Sequence, residues 1–265
     1  MFNLHLAIYA LIQGITEFLP ISSQGHLDIA GRFFELPGQG LTLIVAVHVG
    51  TLGAVMLYFW RDLAAMFMGV VRALGGQRDP GGRLFVLVAV ATLPVIGAGY
   101  FVNAYLGEDL HSLVVIGWAT LGFGILLYVA DKIGMRLRRM EHLSIPDAVI
   151  IGCAQTLALI PGTCRSGITM SAARMLGFER PDAARFSMLM SIPAILGAGV
   201  LKGKELIESG DAQVSLAMLN AAGLSFLAAL AAIWLMMGWL RRASFTPFVI
   251  YRILLGTGLL AVAYG

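Results

Sequence analysis

Six stretches of this chain, roughly residues 40 to 60, 84 to 102, 113 to 130, 186 to 201, 214 to 237 and 245 to 264, are long and apolar enough to cross a membrane, whose hydrocarbon core of about 30 Å takes about 20 residues of helix. In lipid every backbone N–H and C=O needs a partner, and an α-helix supplies one within its own segment. The expected fold class is therefore an all-α integral membrane protein. A soluble globule is excluded by composition, because 58% hydrophobic and 12% charged residues leave too few charges to cover its surface. No nucleic-acid partner is expected either, since no basic run with interleaved aromatics accompanies the net charge of +3. Cys153 and Cys164 share one segment and indicate no disulfide framework. No Lys or Arg precedes Arg32, so no cleavable signal peptide is expected.

Two further apolar stretches are interrupted in the same way. Gln13 to His26 reads QGITEFLPISSQGH, and Gln155 to Gly167 reads QTLALIPGTCRSG. Each stops a helix with Pro and Gly and leaves hydroxyls and charges at the break, which membrane depth tolerates only inside protein or beside a polar cavity. One precedes the first span and the other the fourth, so the chain reads as two copies, about 1–131 and about 145–265, of a broken segment followed by three spans. Gln13 and Gln155 lie 142 apart, and Leu52-Gly53-Ala54 recurs as Leu196-Gly197-Ala198, 144 apart. An odd number of spans per copy inserts the second upside down, giving inverted-topology repeats.

Loop charges decide whether the broken segments cross or turn back. If both are re-entrant helical hairpins, one side collects twelve basic residues, among them Arg61, Arg83, Arg138, Arg180 and Arg242, and the loops of the other hold Lys202 and Lys204. If both crossed, Arg241 and Arg242 would join Arg180 and Arg185 on the sparse side and most of the asymmetry would vanish. The positive-inside rule therefore favours hairpins, a cytoplasmic basic side, and N- and C-termini outside. The hairpin tips then enter from opposite faces and converge.

On the first tip Gln13 and Glu17 share a helix face, Pro20 ends that helix, and Ser22, Ser23, Gly25 and His26 turn into the next. On the second, Pro161 and Gly162 are followed by Thr163, Cys164, Arg165, Ser166 and Gly167, at the start of a helix that also carries Arg174. Free amides at a helix start, beside hydroxyls and an arginine, suit a phosphate-like anion. That makes Ser22, Gly25, Thr163, Cys164, Ser166, Gly167 and Arg174 candidate substrate contacts. A carboxylate at Glu17 would repel the anion unless it holds a divalent cation or accepts a proton, so Glu17 opposite Arg165 points to metal-assisted phosphoryl chemistry. Ser23 needs a neighbouring base to attack phosphorus, and His26, three residues on, could be that base or an acid. An unpaired ionised Glu17 near the bilayer centre would cost about 2.5–3.5 kcal/mol, which weighs against a merely structural role. Ser22 reads equally as a helix cap, His48 and Arg174 as supporting groups, and Arg252 as paired with a buried acceptor.

These residues resemble the undecaprenyl pyrophosphate phosphatase family linked to bacitracin resistance. Its motif of Glu or Gln, three residues, Glu and then FLPxSSxGH is matched by Gln13, Glu17 and Phe18 to His26. Its PGxSRSG is matched by Pro161 to Gly167, and its FWR by Phe59, Trp60 and Arg61, so the likeness runs over essentially the whole chain. The resemblance implies hydrolysis of C55 prenyl pyrophosphate to the monophosphate and inorganic phosphate, which recycles the lipid carrier for peptidoglycan synthesis and underlies bacitracin resistance. It implies a divalent cation, Mg2+ or Ca2+, held by Glu17 and Gln13, with Glu17, Ser23, His26 and Arg165 catalytic. It also implies inverted repeats, often a homodimer, in the bacterial cytoplasmic (inner) membrane, with the site open to the outer face. Two positions depart from the pattern: Gln13 stands where many members have a second glutamate, and Cys164 replaces a serine. The rival class is a secondary transporter or lipid-carrier flippase without hydrolysis, since inverted repeats with broken helices are also a transporter build.

Overall fold

A computed structural model describes residues 4–33, 41–105, 112–135, 137–208 and 216–265. Among these residues the chain forms α1 (Leu4–Thr16), α2 (Ser23–Phe33), α3 (Leu41–Tyr58), α4 (Trp60–Leu74), α5 (Pro80–Tyr105), α6 (Leu113–Ile133), α7 (Ile145–Thr156), α8 (Arg165–Met175), α9 (Arg180–Glu208), α10 (Leu216–Leu240) and α11 (Thr246–Tyr264). Five of them, α5, α6, α9, α10 and α11, are long and apolar enough to cross a membrane, and α3 with α4 qualifies only as a pair bent by 77°. Large apolar side chains such as Leu93, Phe101, Trp234 and Leu254 lie on the outside of the bundle, where lipid tails are as good a solvent for them as a protein core.

Helix α4 falls where the sequence reading had only a charged loop. Its Arg61, Asp62 and Arg72 suggested solvent, yet they occupy one side of a helix whose Phe67, Met68, Val71 and Leu74 remain exposed. Glycines let it press onto α5: a Cβ on Gly69 would lie 2.0 Å from the backbone nitrogen of Gly82. Asp79 fixes the turn between them, accepting from the Gly81 amide at 2.8 Å and pairing with Arg72 at 2.7 Å.

The remaining helices pack through equally close contacts. Helices α1 and α3 lie on α10, α7 and α9 on α5, and α6 on α11. A Cβ on Gly14 would sit 2.6 Å from the Ser225 carbonyl oxygen of α10, and one on Gly152 2.4 Å from that of Ala91 on α5. Without a hydrophobic drive between helices in lipid, such small-residue crossings supply the van der Waals contact that holds a bundle together.

Charge is buried at one end of the bundle. Asp131, at the end of α6, takes Arg180 bidentately at 2.6 and 2.8 Å and Arg174 at 3.2 Å, and accepts the Phe245 amide at 3.4 Å. Arg174 also donates to the carbonyls of Met135, Phe178 and Gly134. Such a network ties α6, α8, α9 and α11 together, and breaking one partner strands the others without water.

Candidate active site

Two turns face each other inside the bundle. The first joins α1 to α2 and the second leads from α7, through a short 3-10 turn at Leu157–Leu159, into α8. Pro20 and the Pro161-Gly162 pair stop the incoming helices, because proline removes a donor and restricts the residue before it. Each outgoing helix is 11 residues long and follows a non-glycine residue with positive φ: Ser22 at 72° before α2 and Cys164 at 70° before α8. Side chains tolerate that conformation poorly, at about 1–3 kcal/mol each, so the surrounding contacts must enforce it.

The two tips touch. Leu19, on the first, offers its carbonyl to the Ser166 hydroxyl at 3.0 Å and to the Cys164 thiol at 3.5 Å on the second. Behind the second tip, fully buried Arg252 of α11 donates to the carbonyls of Gly162 at 3.2 Å, Thr163 at 3.0 Å and Thr120 at 3.1 Å. Arg252 thus holds the carbonyl side of the turn, and the amides that open α8 are left pointing forward.

At the meeting point Glu17 joins three elements, α1, α2 and α8. Its Oε1 accepts from Arg165 at 2.9 Å, and its Oε2 accepts from the Gln13 amide at 2.8 Å and from the Ser23 hydroxyl at 3.3 Å. Gln13 also lies 3.4 Å from His48 Nε2 on α3. Neither Glu17 nor Arg165 is sealed off, their side chains being 11% and 16% exposed. Among the described residues six buried side-chain atoms have no hydrogen-bond partner: Gln13 Oε1, Arg165 NH1 and Thr163 Oγ1 at the two tips, Arg252 NH1 behind the second, and both amide atoms of Gln155 on α7. Orphaned donors and acceptors of this kind cost about 1–3 kcal/mol each, and those at the tips cluster where a ligand would satisfy them.

His26 belongs to the rim. One ring nitrogen lies 2.7 Å from the Ser22 carbonyl and the other 2.5 Å from the Tyr251 hydroxyl, with the two rings parallel at 5.4 Å. The carbonyl can only accept, so Nδ1 carries the proton and Nε2 accepts from Tyr251. The Ser23 hydroxyl is thus aimed at Glu17, and the histidine that the sequence paired with it is held by Ser22 and Tyr251. Of the expected contacts, Ser22, Gly25, Thr163, Cys164, Ser166 and Gly167 lie in the two tips; the side chains of Cys164 and Ser166 are used to lock the tips together. Arg174 lies apart from them: its guanidinium is engaged by Asp131 and carbonyls at the far end of α8, because nine residues of helix rise about 13.5 Å from Arg165. Tyr251 was missed altogether, and no local signal marks it, since its partner is 225 positions away.

A divalent cation fits the donors at this point. Among the described residues no group of three or more His, Cys, Asp and Glu side chains gathers as a metal cage. However, the Glu17 carboxylate, the orphaned Gln13 oxygen and the Ser23 hydroxyl make an oxygen-rich edge suited to a cation that keeps waters or substrate phosphate oxygens as its other ligands.

Comparison with known proteins agrees over the whole length. The family model described as bacitracin resistance protein BacA matches residues 6–258. The chain is 51% identical to undecaprenyl-diphosphatase 1 of Rhodospirillum rubrum over 271 aligned residues, covering 100% of this chain and 96% of the relative. It is 52% identical to the undecaprenyl-diphosphatase of Jannaschia sp., with 98% of each chain covered, and 45% identical to that of Hahella chejuensis, again with 98% of each.

Proposed function

Because the chain belongs to the bacitracin resistance protein BacA family, we propose that the point where its two tips meet hydrolyses undecaprenyl diphosphate to the monophosphate and inorganic phosphate. The observation that carries this reading is the Glu17–Arg165 ion pair, one partner from each tip, with the Ser23 hydroxyl beside it. The product is the lipid carrier that peptidoglycan synthesis consumes, so its release sustains cell-wall growth and resistance to bacitracin. The relatives carry an enzyme name, which favours hydrolysis over a transporter that moves the carrier unchanged.

An arriving diphosphate competes for Arg165. Its oxygens take the guanidinium, including the unpartnered NH1, and the free amides that open α8. Glu17, released from the pair, keeps its contact with Ser23. Ser23 Oγ attacks the terminal phosphorus in line while its proton passes to the Glu17 carboxylate; the Oγ–P bond forms as the bond to the prenyl monophosphate oxygen breaks. Water then displaces phosphate from the serine, which recovers its proton from Glu17. Both protons of that water leave with the phosphate, and His26, its Nδ1–H held by the Ser22 carbonyl and its Nε2 by Tyr251, orients the turn. A divalent cation, Mg2+ or Ca2+, held by Glu17 Oε2 and Gln13 Oε1, would neutralise charge on the transferring phosphoryl group.

The same reading extends to topology. Helices α1 and α7, of 13 and 12 residues, are too short to span, which supports re-entrant hairpins. Inverted repeats, about 1–131 and about 145–265, are supported by outgoing helices that start 142 residues apart and by packing that pairs α1 on α10 with α7 on α5. The charge asymmetry of the loops supports termini outside, a site open to the outer face and residence in the bacterial inner membrane. A homodimer would leave the site unchanged, as each of its residues comes from one chain.

Purified protein in detergent, given a prenyl pyrophosphate and Mg2+, should release phosphate, and should lose that activity with EDTA or with Glu17→Ala. Folded protein that releases no phosphate from any prenyl pyrophosphate would refute the reading.

A further inference from the structure

His48 faces the cluster around Glu17 through Gln13. It sits on α3, and its Nδ1–H donates to the Ile44 carbonyl at 2.7 Å, one turn back. That bond fixes the ring and leaves the Nε2 lone pair directed at the Gln13 amide, 3.4 Å away. A backbone carbonyl holding one nitrogen so that the other faces inward is the usual support of a metal-binding histidine.

Two acceptors, His48 Nε2 and Glu17 Oε2, converge on the end of one amide, and that amide is 1% exposed with its own oxygen unpartnered. A half-turn about Cδ exchanges its oxygen and nitrogen. The exchange takes from the amide its contacts with Glu17 and His48 and leaves both of its polar atoms unsatisfied, at about 1–3 kcal/mol each, so it occurs only with a ligand that offsets that cost. After it, Gln13 Oε1, Glu17 Oε2 and His48 Nε2 would be three acceptors crowded together with no hydrogen between them, which only a cation can stabilise. The spacing suits one: bonds of about 2.0–2.2 Å at right angles put neighbouring donors about 3 Å apart, and the separations are 2.8 Å from Gln13 to Glu17, 3.4 Å from Gln13 to His48 and 3.3 Å from Ser23 to Glu17.

We infer that His48 Nε2 is a ligand of the divalent cation, alongside Glu17 Oε2 and Gln13 Oε1, making this a mixed nitrogen and oxygen site with one carboxylate. The inference rests on the cation placed at Glu17 above. It has a chemical consequence: an imidazole beside a single carboxylate disfavours Ca2+, a hard ion bound by oxygen, and favours later transition dications such as Co2+ and Ni2+.

Mn2+ bound to the purified chain, prepared with natural and with 15N-labelled histidine, tests this by pulsed EPR. The expected result is a nitrogen coupling of directly bound imidazole that shifts with the label, is lost in His48→Gln and survives in His26→Gln. In His48→Gln the Mn2+ affinity should fall by about tenfold or more, with Ca2+ affinity changed by less than that. Bound Mn2+ without an isotope-sensitive coupling, a coupling that survives His48→Gln, or no stoichiometric Mn2+ binding would each overturn the inference. The wild-type measurement needs no variant, so misfolding cannot mimic failure. Phosphate release by the same preparation reports separately on the phosphatase reading: release without histidine coupling removes His48 alone.

Discussion

Gly162→Ala offers the sharpest test of how the second tip is held. Gly162 has φ of 93°, and an added Cβ would lie 2.4 Å from the Ile116 carbonyl oxygen of α6. Two penalties follow. An alanine at that φ costs about 1–2 kcal/mol, and the contact is with the backbone of the first turn of α6, which packs along α11, so the tip gives way more readily than α6. Reaching ordinary contact at 3.4 Å requires the turn to retreat by about 1 Å, and a reacting group misplaced by about 1 Å loses on the order of 10²-fold in rate. Arg165 is three residues on, at the head of α8, and moves with the turn. The expected outcome is a fall in kcat/KM of about 10²-fold in a phosphate-release assay, from a protein that still migrates as a single species and melts cooperatively. Gly122→Ala is the control: it lies on α6 too, an added Cβ there meets nothing within 4 Å, and its activity should be native. A folded Gly162→Ala enzyme with activity within threefold of wild type would show that the tip is not positioned by this contact.

Ser23→Ala should abolish turnover while His26→Ala retains part of it, because the serine hydroxyl is aimed at Glu17 and not at the histidine; near-native turnover of Ser23→Ala with a dead His26→Ala would reverse the assignment. Tyr251→Phe removes the donor to His26 Nε2 but keeps the stacked ring, so kcat should drop by about 10-fold, less than the roughly 10²-fold or more of a group that itself transfers a proton, and KM should hold; kinetics like wild type would reduce Tyr251 to packing. Asp131→Asn takes the carboxylate from two buried arginines, and a loss of about 3–5 kcal/mol in stability is expected by thermal unfolding in detergent. Unchanged melting would mean that the arginine–carbonyl bonds alone hold that end.

What the sequence made legible were features that stay local. The two interrupted segments, their helix starts, and the opposition of Glu17 to Arg165 could be read because each lies within a short motif, and because an isolated membrane-depth charge demands a partner. Helix α4 was hidden because the charges at its two ends, Arg61 and Asp62 at the start and Arg72 near the close, suggest a loop, while its glycine-mediated docking on α5 depends on backbone approach that no side-chain pattern encodes. Arg174 shares a helix with Arg165, but the rise along the axis sets its guanidinium among Asp131 and nearby carbonyls, a separation that membership of one helix does not reveal. Tyr251 and the carbonyl-binding role of Arg252 arise from α11 closing behind both tips, a contact between chain ends.

The positive φ at Ser22 and Cys164 bears on how this protein would respond to selection in the laboratory. Glycine is at ease in that conformation, so Ser22→Gly and Cys164→Gly would each relieve strain and prolong life in detergent. A screen that rewards heat resistance alone would enrich both, together with the looser turns that come with them. Hits at these two codons are therefore better treated as a counter-screen, flagging variants that have gained robustness by relaxing the machinery.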